Sequence, residues 1–190
     1  MSKLIVGNWK LNPTTLNEAI ALVSGLAHSM KVEEFEKIVI LPPFIFLEEL
    51  VKRFKHFKWG AQDVFWEKKG AYTGEVSLPM LKDVGVDWVL IGHSERRLFF
   101  GETDEDINKK MKAAIEADFN VIVAVGELQR DDNSENVISS FKKSINGMDK
   151  TKLEKLVVAY EPLWAISTTP NAKPDNPPRS NQIIGELKHV

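Results

Sequence analysis

Short apolar runs alternate with longer segments of helical period along the whole of this 190-residue chain, and that alternation restricts the fold more than any other feature. The runs at 3–8, 37–41, 58–61, 88–92, 120–125 and 156–160 read as strands, rich in the residues that suit a pleated surface. Several are apolar without interruption, as strands covered on both faces are. The expected class is therefore α/β with a parallel sheet, built from six successive βα units. Between the strands, a first helix is expected to open near Asn12-Pro13, with Leu16, Ala19, Ile20 and Val23 on one stripe. Another follows Thr103, a suitable N-cap for Asp104, Glu105 and Asp106, and aligns Ile107, Met111, Ala114 and Ile115. Further helices are expected over 45–54 and 77–84, within 134–146, and from Pro178 onward. The proline-rich stretch 167–180 is long for a βα connection, and such loops are often functional.

Two architectures accommodate six βα units: an open doubly wound sheet, or part of a closed barrel of eight. Nucleotide-binding doubly wound sheets carry a glycine-rich turn after the first strand. Here that strand ends Val6-Gly7-Asn8-Trp9-Lys10, with neither GxGxxG nor GxxxxGK[ST], which favours the barrel without deciding for it. No linker or low-complexity tract divides the chain, so residues 1–190 are expected to form a single domain.

Composition narrows the partners. With 43% hydrophobic and 27% charged residues the chain is globular in character. Its 25 Lys and Arg against 27 Asp and Glu, without a basic stripe, argue against nucleic acid and anionic membrane surfaces. No stretch approaches the roughly 20 apolar residues of a membrane span, and the cytoplasm is the expected compartment. The absence of cysteine excludes disulfides, thiolate catalysis and Cys-ligated zinc. The four histidines, His28, His56, His93 and His189, show no metal-ligand spacing, so no metal site is expected.

Three strand ends carry polar groups that packing does not require: Asn8 and Lys10 after the first, His93, Ser94 and Glu95 after the fourth, and Glu161 after the sixth. In a parallel barrel all strand carboxyl ends open on one rim, which would bring a base, an imidazole and a fixed cation together. Singly, each has an ordinary reading: Lys10 as a surface lysine, His93 as the start of a helix, Glu161 as a solvated loop acid.

The motifs around these residues are more specific. Asn8-Trp9-Lys10-Leu11-Asn12, Ile91-Gly92-His93-Ser94-Glu95-Arg96-Arg97, Gly101-Glu102-Thr103-Asp104 and Ala159-Tyr160-Glu161-Pro162-Leu163-Trp164-Ala165-Ile166 together resemble triosephosphate isomerase, in the family's order and over essentially the whole chain. The resemblance implies a TIM (βα)8 barrel and the interconversion of dihydroxyacetone phosphate and D-glyceraldehyde 3-phosphate, a step of glycolysis and gluconeogenesis. Such a reaction moves a carbonyl between adjacent carbons. It needs a base for the proton α to the carbonyl and a group that stabilises the enediolate.

By resemblance Glu161 is that base, set just before Pro162, which biases its backbone toward an extended conformation. His93 polarises the carbonyl as neutral imidazole beside a helix N-terminus, a known property of the family rather than a reading of these residues. Lys10 supplies fixed positive charge, Asn8 helps bind substrate, and Ser94 and Glu95 support the site, Glu95 chiefly by orienting Lys10. The segment Pro162, Leu163, Trp164, Ala165 and Ile166 begins a lid, and Ser167 takes the place from which the lid's backbone N–H reaches the phosphate. Thr73 lies in the loop that joins two subunits in the family's homodimers. No cofactor is implied. Gly126 and Glu127 match family positions and are read as scaffold, as is Glu102. Ala124 stands where the family usually has cysteine, a change of packing.

Two departures qualify the resemblance. After Trp164-Ala165-Ile166 the family usually continues Gly-Thr-Gly-Lys, whereas this chain reads Ser167-Thr168-Thr169-Pro170, losing glycine's backbone freedom. A full barrel takes about 250 residues. The sequence is thus expected to cover the first three quarters of one, ending within the sixth helix and leaving apolar strands at 4–6 and 156–158 on its edges. The rival reading is a non-catalytic partial barrel that binds phosphorylated metabolites or serves as an assembly module. An aldolase would want a Schiff-base lysine, for which Lys10 alone is a poor candidate.

Overall fold

The computed structural model describes residues 4–127, 129–130, 134–166 and 172–190. They form two compact units, the first comprising the described residues up to 90 together with 116–120, the second the described residues of 91–115 and from 121 onward.

The first unit is built on four parallel strands. Strand β1 (Ile5–Asn8) leads through helices α1 (Leu16–Ser29) and α2 (Val32–Phe35) to β2 (Ile38–Leu41). Helix α3 (Phe44–Arg53) precedes β3 (Lys58–Ala61), and α4 (Leu78–Asp83) precedes β4 (Trp88–Ile91). Each strand pairs with the next in chain order, with Ile5 opposite Ile38, Val39 opposite Lys58, and Gly60 opposite Trp88. All four residues of β2 and of β4 are buried, as the uninterrupted apolar runs predict. Helix α1 packs on α3 and α3 on β3, enclosing Ala19, Val23, Leu47 and Leu50.

Helix α1 opens later than its sequence suggests. Thr15 and Glu18 form a capping box: the Glu18 N–H donates to Thr15 Oγ1 at 3.3 Å, and the Thr15 N–H donates to Glu18 Oε2 at 3.1 Å. The helix therefore starts at Leu16, and Asn12-Pro13 lies in the preceding loop. The one-turn α2 is too short to show a period in sequence.

The second unit contains α5 (Ser94–Phe100), α6 (Asp104–Glu116), β5 (Asn120–Val125), α7 (Glu135–Ser144), β6 (Leu156–Tyr160) and α8 (Pro177–Leu187). Short 3₁₀ turns at Lys150–Lys155 and Leu163–Ala165 flank β6. Strands β5 and β6 are parallel over five residue pairs, from Val121 opposite Leu156 to Val125 opposite Tyr160. Helix α8 packs on β6 and on α7, burying Ile183 and Leu187. At the start of α6 the Asp106 N–H donates to Thr103 Oγ1 at 3.2 Å, so Thr103 is the expected cap. Strand β4 stops at Ile91, one residue before the expected end, because Gly92 turns to a left-handed φ of 76°. Among the described residues, no helix is long and apolar enough to cross a membrane.

Leu50 is fully buried, whereas Leu22 on α1 is 51% exposed. Leu50→Ala is expected to cost about 2–5 kcal/mol of unfolding free energy, and Leu22→Ala within about 0.5 kcal/mol. Urea denaturation of both variants checks the contrast, which equal losses would refute.

Candidate active site

The turn after β4 starts the site. A Cβ on Gly92 would stand 3.1 Å from both the Ala124 carbonyl oxygen and Ile107 Cδ1, and the residue has positive φ, so glycine is required on two counts. The turn sets His93 at the N-cap of α5, 6% exposed. There its Nδ1 accepts the Glu95 backbone N–H at 3.3 Å. A nitrogen that accepts carries no proton, so the ring's proton sits on Nε2. Nε2 faces Glu161 Oε1 at 3.3 Å, and the other Glu161 oxygen accepts from Ser94 Oγ at 3.2 Å. The Glu95 carboxylate lies 3.6 Å from His93 Nδ1, beyond hydrogen-bond reach, so Glu95 orients the imidazole through its backbone.

Helix α5 is fastened at both ends. Arg97 Nε donates to the Gly92 carbonyl at 3.3 Å and Nη1 to Asp104 Oδ1 at 2.7 Å, while Ser140 Oγ from α7 donates to the same Asp104 oxygen at 2.7 Å. Beyond the left-handed Gly101, the Glu102 carboxylate, on a side chain 5% exposed, pairs with Lys110 and lies 3.6 Å from Arg96 Nε. Glu102 thus belongs to the scaffold that holds His93.

The β6 end delivers Glu161. Its N–H donates to the Val125 carbonyl at 2.7 Å, and its own carbonyl crosses directly over Gly126, where a Cβ would lie 2.0 Å from that oxygen. Glu127, 8% exposed, then gathers the flanking residues. Its carbonyl accepts the Leu163 N–H at 2.9 Å. Its carboxylate accepts the Tyr160 hydroxyl at 2.9 Å, the Trp164 indole N–H at 3.0 Å and Arg179 Nη2 at 2.6 Å.

Arg179, at the start of α8, also donates to the Tyr160 oxygen at 2.7 Å and to Asp175 Oδ2 at 3.1 Å, and Ser180 Oγ donates to that same Asp175 oxygen. The guanidinium carbons of Arg179 and Arg130 lie 5.2 and 5.5 Å from the centroid of the Trp164 ring, within cation–π range. Burial and the Glu127 carboxylate push the Tyr160 hydroxyl well above the usual phenol range. Burial works against the Asp175 carboxylate, but its bonds from Ser180, Asn176 and Arg179 outweigh this and hold it below the usual range.

In the first unit, Asn8 ends β1 and its Oδ1 accepts the Lys10 N–H at 2.9 Å; Gln62 Nε2 donates to the Lys10 carbonyl at 2.9 Å. Lys10 has a φ of 55°, a left-handed conformation uncommon for a side chain of this kind and costing about 1–3 kcal/mol when imposed. Thr73 sits in an exposed turn closed by the Glu75 N–H on the Tyr72 carbonyl at 3.1 Å.

The structure thus joins His93, Ser94, Glu95 and Glu161 in one cluster and Asn8 with Lys10 in another. Pro162 through Ile166 form the turn that follows Glu161, and Ser167 lies outside the described residues. Sequence reasoning took Glu127 as scaffold and passed over Arg179. The one available hint was a basic residue in the first turn of a helix, where the helix dipole disfavours it unless a carboxylate compensates. Among the described residues no group of three His, Asp or Glu gathers in a way that could hold a metal ion.

The family model described as triosephosphate isomerase matches residues 3–189. Among curated relatives, the triosephosphate isomerase of Caldanaerobacter subterraneus subsp. tengcongensis is 42% identical over 193 aligned residues, and that of Thermoanaerobacter sp. (strain X514) 46%. The triosephosphate isomerase of Clostridium botulinum (strain Loch Maree / Type A3) is 42% identical. Each alignment covers 98% of this chain and 76% of the relative. The parallel strands and their helices are accordingly six βα units of a TIM barrel. With a match across nearly its full length, and with its His93 and Glu161 set against each other, this chain belongs to the triosephosphate isomerase family.

Proposed function

We propose that this chain interconverts dihydroxyacetone phosphate and D-glyceraldehyde 3-phosphate, the aldose–ketose isomerisation of glycolysis and gluconeogenesis. The observation that carries the reading is His93, its Nδ1 occupied by the Glu95 N–H and its Nε2 directed at the Glu161 carboxylate. A neutral imidazole with its proton on Nε2 is a hydrogen-bond donor suited to a carbonyl oxygen and then to an enediolate oxygen. Glu161, released from Ser94, takes the proton from one carbon and returns it to the neighbouring one. Both steps move protons only, and no cofactor is assigned.

Lys10 supplies fixed positive charge for the phosphate and the developing oxyanion. Its strained backbone, held between Asn8 and Gln62, supports that role, since such strain is found where a side chain must be aimed. Asn8 positions Lys10 and contributes to substrate binding, and Ser94 fixes the resting Glu161. Pro162, Leu163, Trp164, Ala165 and Ile166 form the base of the lid, and Ser167 is assigned the backbone N–H for the phosphate. We read the chain as a single triosephosphate isomerase-like domain of six βα units, cytoplasmic, and homodimeric in the full-length protein with Thr73 in the contact. The half-exposed Tyr72 beside Thr73 supports that assignment, as its ring lies 4.7 Å from that of Phe65 at a tilt of 46° and gives the turn an apolar base. Sedimentation of the purified full-length protein checks the dimer.

Glu161→Gln is expected to lower kcat by about 10²–10⁴ while changing KM far less, the signature of a lost general base. Exchange of solvent deuterium into dihydroxyacetone phosphate should fall in parallel. Near-normal exchange would remove Glu161 from the role.

Gly126→Ala tests the frame around that base. The new methyl would overlap the Glu161 carbonyl carbon and oxygen, which are backbone atoms with nowhere to yield. A shift of about 1 Å in the base costs on the order of 10² in rate, so kcat should fall by at least that factor. An alanine variant of normal activity would show that the close approach is dispensable.

A further inference from the structure

The Glu127 cluster has a consequence for the catalytic base. Glu161 lies between Tyr160 and the Leu163–Ala165 turn, and on the β5 side Val125 and Glu127 anchor this segment through the Glu161 and Leu163 N–H groups, the Tyr160 hydroxyl and the Trp164 indole. A carboxylate as buried as Glu127 is tolerated only if its charge is met, and Arg179 meets it at 2.6 Å. Arg179 is itself held by Asp175 at 3.1 Å and faces the Trp164 ring. Its planar fork reaches the carboxylate with one nitrogen and the Tyr160 oxygen with the other. A lysine ammonium, a point charge, does not reproduce this pair of directed bonds.

We propose that Arg179 is a positioning residue for the reaction. By neutralising Glu127, engaging the Tyr160 oxygen and facing Trp164, it fixes residues 160–164 on the end of β5 and so sets the place from which the Glu161 carboxylate works. The inference rests on the isomerase reading for its kinetic consequence, but not for the placement itself. Without the guanidinium, the buried Glu127 carboxylate loses its counter-charge and turns toward water, loosening its hold on the Trp164 indole and the Tyr160 hydroxyl.

The test compares the whole chain with Arg179→Ala and Arg179→Lys by ¹⁵N-indole NMR and steady-state kinetics, with the Trp164 resonance assigned from Trp164→Phe. In Arg179→Ala the Trp164 indole resonance is expected to move and its solvent exchange to quicken by about tenfold or more. The buried Trp59 and Trp88 should keep their positions, reporting an intact first unit, and an unchanged far-ultraviolet circular dichroism spectrum should report the helices of the second. kcat should drop by about 10- to 100-fold with KM within about threefold. Added guanidinium should restore part of kcat, which a merely structural loss would not permit. Should Arg179→Ala unfold, as those resonances or the dichroism would reveal, Arg179→Lys decides through the same shift of Trp164. An unmoved Trp164 resonance in the folded variant, or a kcat loss that guanidinium leaves untouched, overturns the proposal. Absence of turnover in the unsubstituted chain would count against the isomerase reading alone, and the Trp164 resonance would still decide where Arg179 acts.

Discussion

The parallel register of β5 and β6 is the constraint on which the site depends. Val125 stands opposite Tyr160, so both strands end at one level and the next residues of each, Gly126 and Glu161, must pass each other at backbone distance. A slip of one residue would exchange the faces of every side chain on β6. Glu161 would then turn away from His93 and Tyr160 away from Glu127. The apolar run Leu156–Tyr160 thus does more than fill space, because its pairing decides which way the carboxylate after it is aimed.

Much of this was legible in the residues. Strand bounds at Lys58–Ala61, Asn120–Val125 and Leu156–Tyr160 fall where the sequence runs place them; the first two are buried beyond their opening residue and have no polar face to blur their ends, and the half-buried third is an unbroken apolar run. The Thr103 cap and the stripe of α6 were equally plain, since the cap chemistry and the helical period agree there. The entry to α1 was not. Asn12-Pro13 has the composition of a helix start, but the reciprocal bonds of Thr15 and Glu18 prevail two residues on.

The His93–Glu161 pairing was legible through its unusual residues, and the residues around it were not. His93, Glu161 and Lys10 stand out because strand ends do not need them for packing. Glu127 and Arg179 are separated by 52 positions, and nothing local in either marks the other. Their pairing arises only when α8 packs back on β6, a long-range event that composition and period do not encode. The same holds for the Glu95 N–H on His93, which exists because α5 begins where Gly92 turns the chain.

The left-handed backbone of Lys10 carries an evolutionary cost. Glycine would relieve the conformation at once and raise stability, so selection for folding alone would drive the position away from lysine. Asn8 and Gln62 hold an arrangement that the local chain disfavours. A lineage released from the need for that charge would be expected to lose Lys10 early, before its core residues drift. Whether relatives keep a lysine in that left-handed turn would therefore gauge whether its charge is under selection.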